Sequence, residues 1–220
     1  MESNSEVSKD QISKGELIRI YMEHVLEHGF PKSVYDFAKK NNFSEADFYN
    51  FYGSLDSIKK AIWIAFYEHV ETLIYKNEAF NSYNNREKLL TFYFTFFEML
   101  TANRSYVLLT LDANGNKLEN LKQLASLRNK IIEFGKTIIG AINEEQPIKF
   151  LKKPEAIVTE AIWVQFLFLL KFWIKDESQG FEKTDVAIEK SVHTVFDIFD
   201  NTPLNSIIDF GKFLWKESTT

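Results

Sequence analysis

The chain has 220 residues, of which 45% are hydrophobic and 26% are charged, and its formal net charge is -5. It is therefore globular, with enough apolar side chains for a substantial core, and its charge argues mildly against nucleic acid as a partner. The absence of cysteine excludes disulfide frameworks and thiolate metal sites, and the scarcity of glycine (8) and proline (4) favours helices over a turn-rich β fold.

Secretion and membrane insertion are disfavoured by the distribution of apolar residues. The polar N-terminal stretch MESNSEVSKDQ is unlike a signal peptide. The longest apolar run, Ala161–Ile174, contains Gln165 and Lys171 and is shorter than the ~20 residues that span a bilayer. We therefore expect a soluble, cytoplasmic protein with no membrane partner.

The first predicted helix begins at Ser8, where Gln11 completes a capping box, and Gly29 ends it. Its apolar residues follow helical spacing, so they form one stripe that would pack over the next two helices. This stripe consists of Ile18, Tyr21, Met22, Val25 and Leu26.

The same helix contains His24-Val-Leu-Glu27-His28, the HxxEH spacing of one class of zinc peptidase. However, this helix end is needed for the small core, and the chain has only two other histidines, His69 and His193. No nucleophile–base pair or glycine-rich phosphate loop accompanies the motif. We interpret the match as chance and predict no metal site, no cofactor and no enzymatic activity.

The next segment predicts two short helices joined by a tight turn. Ser33 is a good N-cap for the first of them. Its apolar face consists of Val34, Phe37 and Ala38. Asn41-Asn42 ends this helix, since asparagine tolerates the left-handed backbone that a tight turn needs.

Ser44 is predicted to cap the second short helix, with Asp47 placed to complete a capping box. The predicted buried side of this helix consists of Phe48, Phe51 and Tyr52. Gly53 ends it, and Ser54 caps the helix that follows. Two helices joined by a turn of three or four residues form the helix-turn-helix arrangement that reads DNA.

This segment resembles the N-terminal domain of tetracycline-repressor (TetR) family regulators over about the first quarter of the chain. The matching residues are Gly29-Phe30, Phe37-Ala38, Phe43-Ser44, Phe48-Tyr49-Asn50-Phe51-Tyr52 and Ser54-Leu55-Asp56-Ser57-Ile58. The resemblance implies an all-α fold with two domains. An N-terminal three-helix helix-turn-helix DNA-binding domain would cover residues 1–54, and a larger C-terminal helical bundle for ligand binding and dimerisation would cover residues 55–220.

Three positions depart from the residues usual in this family. Asn42 stands where glycine is usual in the turn, Glu45 where a basic residue is common, and Leu55 where a phosphate-contacting lysine is usual. Residues 31–60 contain five lysines and four acidic residues, so the predicted DNA-facing segment is barely cationic.

By resemblance, Glu45, Ala46 and Asp47 occupy positions that meet base edges, whereas Tyr49 and Asn50 occupy positions that touch phosphate. Acidic residues remain compatible with DNA, because a carboxylate can accept a hydrogen bond from cytosine N4. Alternatively, these acids only stabilise the start of the helix. The predicted DNA-binding set comprises Ser33, Ser44, Glu45, Ala46, Asp47, Tyr49, Asn50 and Lys59.

Helical periodicity continues along the rest of the chain. Asp112–Asn116 is a predicted turn, and the predicted helices cover Leu55–Lys76, Arg86–Thr101, Ser105–Leu111, Lys117–Ile142, Glu155–Lys175, Thr184–Asp200 and Pro203–Lys216. The helix at Glu155–Lys175 has two apolar faces, which are Ile162, Phe166, Leu169 and Trp173 on one side and Val164, Phe168 and Phe172 on the other. Since one monomer core covers only one such face comfortably, we predict a homodimer.

Eight aromatic residues come from helices that we expect to converge in the larger domain. They are Trp63, Phe66, Phe92, Tyr93, Phe96, Tyr106, Trp163 and Phe166. Each one alone is most simply explained as core. As a set they predict an apolar ligand-binding pocket, because so many bulky rings are difficult to pack to native density without gaps. The resemblance implies an apolar effector pocket in the same domain.

The leading hypothesis is a homodimeric TetR-like transcriptional regulator that binds a near-palindromic operator in double-stranded DNA and responds to a small apolar effector. Two-fold symmetry would place the recognition helices about 34–36 Å apart. The alternative is a TetR-fold lipid- or isoprenoid-binding protein that does not bind DNA. It is motivated by the acidic recognition helix and by the loop Asp176–Thr184, which resembles a stretch of the lipid-binding ubiquinone-biosynthesis proteins.

Overall fold

A computed structural model describes residues 12–112, 120–144 and 154–201 of the protein. In these residues all regular secondary structure is helical, which confirms the predicted all-α class. The α-helices are Lys14–His28 (α1), Val34–Lys40 (α2), Glu45–Tyr49 (α3), Leu55–Lys76 (α4), Asn85–Ala102 (α5), Arg104–Asp112 (α6), Ala125–Glu144 (α7), Glu155–Ile174 (α8) and Glu182–Asn201 (α9). Short 3-10 turns cover Glu78–Ser82, Lys122–Leu124 and Gln179–Phe181.

The chain forms two compact units. The first contains the chain up to residue 63 together with residues 104–124, and the second contains residues 64–103 and the chain from residue 125 onward. The division falls within α4, after Trp63. The predicted functional division into residues 1–54 and 55–220 stays a prediction.

α1 begins later than its sequence indicated. Its N-cap is Ser13, whose hydroxyl accepts a hydrogen bond from the backbone N–H of Glu16 at 3.2 Å, while the Glu16 carboxylate accepts one from the Ser13 N–H at 2.9 Å. This capping box replaces the predicted start at Ser8, which is wrong for this helix; Ser8 and Gln11 themselves lie outside the described residues. A serine followed three residues later by Glu is a stronger box than a serine followed by Gln at the same spacing, because the glutamate is charged.

The buried face of α1 differs in part from the predicted stripe. Tyr21 and Val25 are fully buried as predicted, and so are Leu17 and His24. Leu26 is 48% exposed, so its predicted burial is wrong. The stripe is rotated towards Leu17 and His24 because α6 and α2 also pack against this helix.

The core of the first unit is built from edge-to-face aromatic contacts. The Phe37 ring of α2 lies 5.3 Å from Tyr21 of α1 and 6.1 Å from Phe48 of α3, centroid to centroid. Such pairs contribute roughly 0.5–1.5 kcal/mol beyond the area that they bury. The predicted small three-helix core is therefore present, and α6 is added to it through its contact with α1.

In the second unit the closest helix pair is α7 with α8. Gly135 of α7 faces α8, and a Cβ atom at this position would lie 3.1 Å from Ile162 Cδ1 and 3.3 Å from Thr159 Cγ2. A side chain at this position would therefore require Ile162 and Thr159 to shift by a few tenths of an ångström. Residues 120 and 121 are helical, the 3-10 turn Lys122–Leu124 follows them, and α7 covers the rest of the helix predicted from Lys117; that predicted start lies outside the described residues.

α5 and α9 are joined by one arginine. The Arg86 guanidinium lies 2.7 Å from His193 Nδ1 and donates a hydrogen bond to the Asp197 carboxylate at 2.9 Å. It also stacks over the Phe196 ring at 5.5 Å. These contacts hold the outer edges of the two helices together.

The connection between α8 and α9 is organised by the buried carboxylate of Asp176. Asp176 accepts hydrogen bonds from the backbone and hydroxyl of Ser178 at 2.9 and 2.6 Å, and from the backbone and hydroxyl of Thr184 at 2.8 and 2.6 Å. Burial works to raise the pKa of Asp176, but these bonds outweigh it and lower the pKa to about 2. α9 begins at Glu182, two residues before the predicted start at Thr184, and the Ser178 hydroxyl accepts a bond from the Lys183 N–H at 3.2 Å.

Two further predicted features fall outside the described residues. These are the last helix, Pro203–Lys216, and all but the first residue of the turn Asp112–Asn116.

Candidate nucleic-acid interface and aromatic core

The helix-turn-helix is built from local capping interactions. The Ser33 hydroxyl accepts a hydrogen bond from the Asp36 N–H at 3.0 Å and so begins α2 as predicted. Asn42 has φ of 60° in the turn, as its residue type indicated. In the turn, the Phe43 N–H donates to the Ala38 carbonyl at 3.2 Å.

The predicted capping box of α3 is present. Ser44 Oγ accepts from the Asp47 N–H at 3.1 Å, and one Asp47 carboxylate oxygen accepts from the Ser44 N–H at 2.9 Å and from the Ser44 hydroxyl at 2.6 Å. The Asp47 carboxylate is therefore engaged within its own helix. Any contact from Ser44 or Asp47 to another molecule would have to be made in addition to these bonds.

The face of α3 opposite its core residue is open to solvent. Phe48 is fully buried, whereas Tyr49 is 53% exposed. Ala46 and Asn50 are also exposed, and Glu45 is half-buried. Six of the predicted DNA-binding residues thus lie on or next to one short helix, and four of them, including the N-cap Ser44, are exposed.

Phe51 was predicted to be buried and is 41% exposed, so this prediction is wrong. α3 ends at Tyr49 with Asn50 as its C-cap, so helical spacing no longer decides which way Phe51 points. Tyr52, one residue later, is buried instead.

Two of the five lysines in residues 31–60 pair with an acidic side chain. Lys59 pairs with Asp56 at 3.0 Å, and Lys40 pairs with Asp36 at 3.3 Å. Lys59, the predicted phosphate contact, is half-buried. A phosphate would compete with these acids, and surface ion pairs of this kind contribute only about 0–1 kcal/mol.

Sequence reasoning did not select two residues of α2 that are prominent on this surface. Tyr35 is 57% exposed, and Lys39 Nζ lies 5.7 Å from the centre of its ring. Helical spacing does indicate that Tyr35 is exposed, since it follows the buried Val34 and points away from the face that Val34 shares with Phe37.

The eight predicted ligand-binding aromatics are divided between the two units. Trp63 and Tyr106 belong to the first, and the other six belong to the second. All eight are buried. In the first unit, Trp63 Nε1 donates to Gln123 Oε1 at 2.9 Å, and burial raises the pKa of Tyr106.

In the second unit the rings contact one another. Phe96 lies 5.6 Å from Phe92 and 5.3 Å from Phe166, and Phe166 stacks with Trp163 at 5.5 Å, centroid to centroid. This network continues to Tyr93, whose ring is 5.6 Å from Phe92. The structure therefore brings five of the eight residues into one continuous cluster.

One buried polar pair lies inside this aromatic cluster. The Tyr93 hydroxyl donates to the Ile162 carbonyl at 2.9 Å and to Gln165 Oε1 at 3.3 Å, and Gln165 Nε2 donates to Ser191 Oγ at 3.0 Å. Burial raises the pKa of Tyr93 well above its usual value, so the phenol is protonated. Gln165 was not among the predicted site residues, although a lone glutamine in a long apolar run is a recognisable signal.

α8 also exposes an apolar stripe, formed by Ile157, Val164, Phe168 and Phe172, which we call the α8 stripe. Val164 is 61% exposed and Phe168 is 55% exposed. At its C-terminal end lies a surface recess of about 410 Å³ lined by Phe168, Lys171, Phe172, Lys175, Asp176, Glu177 and Lys183. Large exposed apolar surface rimmed by charged residues is typical of interaction sites.

Within the described ranges, no group of three or more His, Cys, Asp or Glu side chains is arranged to hold a metal ion. His24 of the HxxEH motif is 2% exposed and hydrogen-bonded to Asn41. His28 is exposed on the next turn of α1.

Comparison with known proteins identifies the C-terminal part of the chain. Residues 88–214, more than half of the chain, match the family model described as "Tetracyclin repressor-like, C-terminal domain". The chain belongs to the TetR family. This match lies outside the segment whose residues resemble the TetR N-terminal domain, so the two halves of the chain indicate the same family independently. A search of curated proteins found no match.

TetR family proteins are in general regulators rather than enzymes. In the part of the chain that the structure describes, α8 is the one helix long and apolar enough to cross a membrane, and half of its apolar window is buried. The core helix of a soluble protein has the same features, and α8 packs against α7 and α9.

Proposed function

We propose that this TetR family protein is a DNA-binding transcriptional regulator that acts as a homodimer and responds to a small apolar effector. The observation that carries the proposal is the outward face of α3. Its start is held by the Ser44–Asp47 capping box and its position by buried Phe48, while Ala46, Tyr49 and Asn50 remain exposed. A short rigid helix with a solvent-facing side is what major-groove reading requires.

Selection from a pool of random DNA duplexes at low salt tests this proposal directly. We expect enrichment of a near-palindromic sequence, because a two-fold dimer presents two copies of α3. Tyr49→Ala should weaken binding to the selected duplex, whereas Tyr75→Ala, which removes a tyrosine 51% exposed on the second unit, should leave it unchanged. Failure to enrich any sequence would refute the DNA-binding role.

The α8 stripe supports the homodimer. A monomer leaves Val164, Phe168 and Phe172 in water, and burying each against a second copy would contribute roughly 1–2 kcal/mol at their observed exposure. We expect light scattering to give a dimer for the wild-type protein and a monomer for Phe168→Glu. Leu26→Glu, at an apolar residue 48% exposed on α1, is the matched control and should remain dimeric.

An apolar effector is proposed to bind among the aromatic cluster of the second unit. Phe96, Trp163 and Phe166 offer apolar ring faces there, and Tyr93 and Gln165 supply a buried polar contact that could orient a ligand. Binding would favour one arrangement of the dimer over another and so change its affinity for DNA. An effector of this kind should perturb the fluorescence of Trp163, and it should release the selected duplex.

A carrier of lipid or isoprenoid that does not bind DNA is the second candidate. It is favoured by the acidic first turn of α3, by the partnered lysines around it, and by Leu55 where the family usually has lysine. Mass spectrometry of the protein purified under non-denaturing conditions distinguishes the two. A co-purifying apolar ligand, combined with a failed DNA selection, would establish the carrier in place of the regulator.

A further inference from the structure

His24 of α1 contacts the turn of the helix-turn-helix through one side chain. Asn41 Nδ2 lies 2.9 Å from His24 Nδ1 and donates a hydrogen bond to the Phe37 carbonyl at 2.7 Å. The His24 ring is 2% exposed and packs edge-on against the Phe37 ring at 5.3 Å. The HxxEH motif thus includes a buried histidine at a position that matters for α3.

The geometry decides the protonation state of this histidine. The Phe37 carbonyl can only accept, so the Asn41 atom that contacts it must be the amide nitrogen. The second hydrogen of that amide group points to His24, and His24 Nδ1 must therefore be an acceptor without a proton. His24 is accordingly neutral, with its proton on Nε2.

Asn41 also occupies the key position of the turn. It is the C-cap of α2, its own N–H donates to the Ala38 carbonyl at 3.2 Å, and it precedes Asn42 at φ 60°. The Phe43 N–H returns to the same Ala38 carbonyl at 3.2 Å. The direction in which the chain enters α3 is set within these three residues.

We infer that His24 is a positioning residue for α3: the neutral imidazole holds the α2–α3 turn through Asn41, and the protonated imidazole releases it. A proton on Nδ1 would face the Asn41 amide hydrogens, so two donors would oppose each other in a buried place. The effect on DNA binding rests on the proposed function, whereas the effect on the turn does not.

The charged groups around His24 come from both helices that pack against it. Burial lowers its pKa, and His28 on α1 and Lys40 on α2 act in the same direction. Asp36 on α2 acts in the opposite direction, and the pKa stays below its usual value of 6.5. The Asn41 amide, as the donor to Nδ1, favours the neutral imidazole and so also works to lower the pKa. Stability from this contact is therefore complete above about pH 6.5 and is lost as the pH falls through the lower folded-state pKa.

Nuclear magnetic resonance of the full chain tests the contact without DNA. We expect the His24 imidazole to carry its proton on Nε2 at neutral pH and to titrate below the usual histidine value of 6.5. Asn41→Asp places an acceptor opposite Nδ1, so it should shift the pKa of His24 upward. A proton on Nδ1 at neutral pH, or the absence of an upward shift in Asn41→Asp, would overturn the inference.

Hydrogen exchange of the Phe43 amide measures the turn itself. Below the folded-state pKa of His24, protection in the wild-type protein should fall by up to about tenfold per pH unit. His24→Asn keeps an oxygen acceptor where Nδ1 was and cannot titrate, so its protection should not depend on pH in this range. His69→Gln removes an exposed histidine of the second unit and should behave like the wild type. An equal pH dependence in His24→Asn would overturn the inference.

The selected duplex then tests the link to DNA. Between about pH 7.5 and about pH 5.5, wild-type affinity should fall at least about threefold more than that of His24→Asn. An equal fall in both proteins would overturn the coupling of His24 to α3. If no duplex is bound at either pH while the amide and imidazole results hold, the regulator proposal fails and the role of His24 in the turn stands.

Discussion

Asp176→Asn should destabilise the protein. Among all changes of Asp to Asn or Glu to Gln in the described residues, we expect it to have the largest effect. The wild-type carboxylate accepts four hydrogen bonds from Ser178 and Thr184. It is 5% exposed, so water does not replace a lost partner. Asparagine keeps one acceptor oxygen, but its NH2 group would point at two of the donors, leaving them without an acceptor.

Two estimates based on the same four hydrogen bonds agree in magnitude. Lowering the pKa of Asp176 from 3.8 to about 2 corresponds to roughly 2 kcal/mol of preference for the charged form in the folded state. Leaving buried donors without an acceptor costs roughly 1–3 kcal/mol. For a chain of this size, a loss of about 2 kcal/mol lowers Tm by roughly 4–8 °C.

Thermal unfolding followed by circular dichroism checks this value, with Glu177→Gln as the control. Glu177 is the adjacent carboxylate and is exposed, so its change should alter stability by less than about 0.5 kcal/mol. Equal Tm values for Asp176→Asn and the wild type at neutral pH would refute the reasoning. So would a loss in Glu177→Gln as large as that in Asp176→Asn.

The pH dependence adds a second check with a definite sign. The folded-state pKa of Asp176, about 2, lies below its unfolded value of 3.8. The stabilisation is therefore complete above about pH 4 and is lost as the pH falls towards 2. The difference in stability between the wild type and Asp176→Asn should shrink over this interval, and a constant difference would contradict the assignment.

The other predictions concern stability at separate places in the fold. Gly135→Ala should destabilise the protein by roughly 1–3 kcal/mol in urea unfolding, because the new Cβ would lie 3.1 Å from a side-chain atom of Ile162. Gly140→Ala, on the same helix, has open space around the new Cβ and should stabilise the protein by roughly 0.5–1 kcal/mol. Asn42→Gly, at φ 60°, should leave Tm unchanged or raise it slightly, and Asn42→Val should lower it by several degrees. Arg86→Met, which removes the ion pair and ring contact to α9, should cost roughly 1 kcal/mol in the same assay.

Much of the helix-turn-helix could be predicted from the sequence, because its determinants are local. Ser33 and Ser44 are caps, and Asn42 adopts the left-handed conformation, as their residue types indicated. Each of these features depends on hydrogen bonds within three or four residues or on the preference of one residue. The extent of α4, Leu55–Lys76, was predicted for the same reason.

Burial at the ends of helices could not be predicted in the same way. Phe51 lies beyond the end of α3, and Leu26 lies on a side of α1 that nothing in the described chain covers, although periodicity placed both inside. His24 is buried because Phe37 packs against it and Asn41 bonds to it, and neither contact is visible in the spacing of α1. Periodicity shows which residues share a face, and the packing partner decides which face is covered.

Capping, turn chemistry and apolar periodicity act over a few residues, so the sequence alone indicates where most helices begin and end, the helix-turn-helix and the resemblance to one family. The bond between Tyr93 and Gln165 became known only from the folded chain, because it joins residues 72 positions apart and no local preference specifies it. The same holds for the apolar face that α8 keeps in water, because the packing partners of α8 decide which of its two apolar faces is covered.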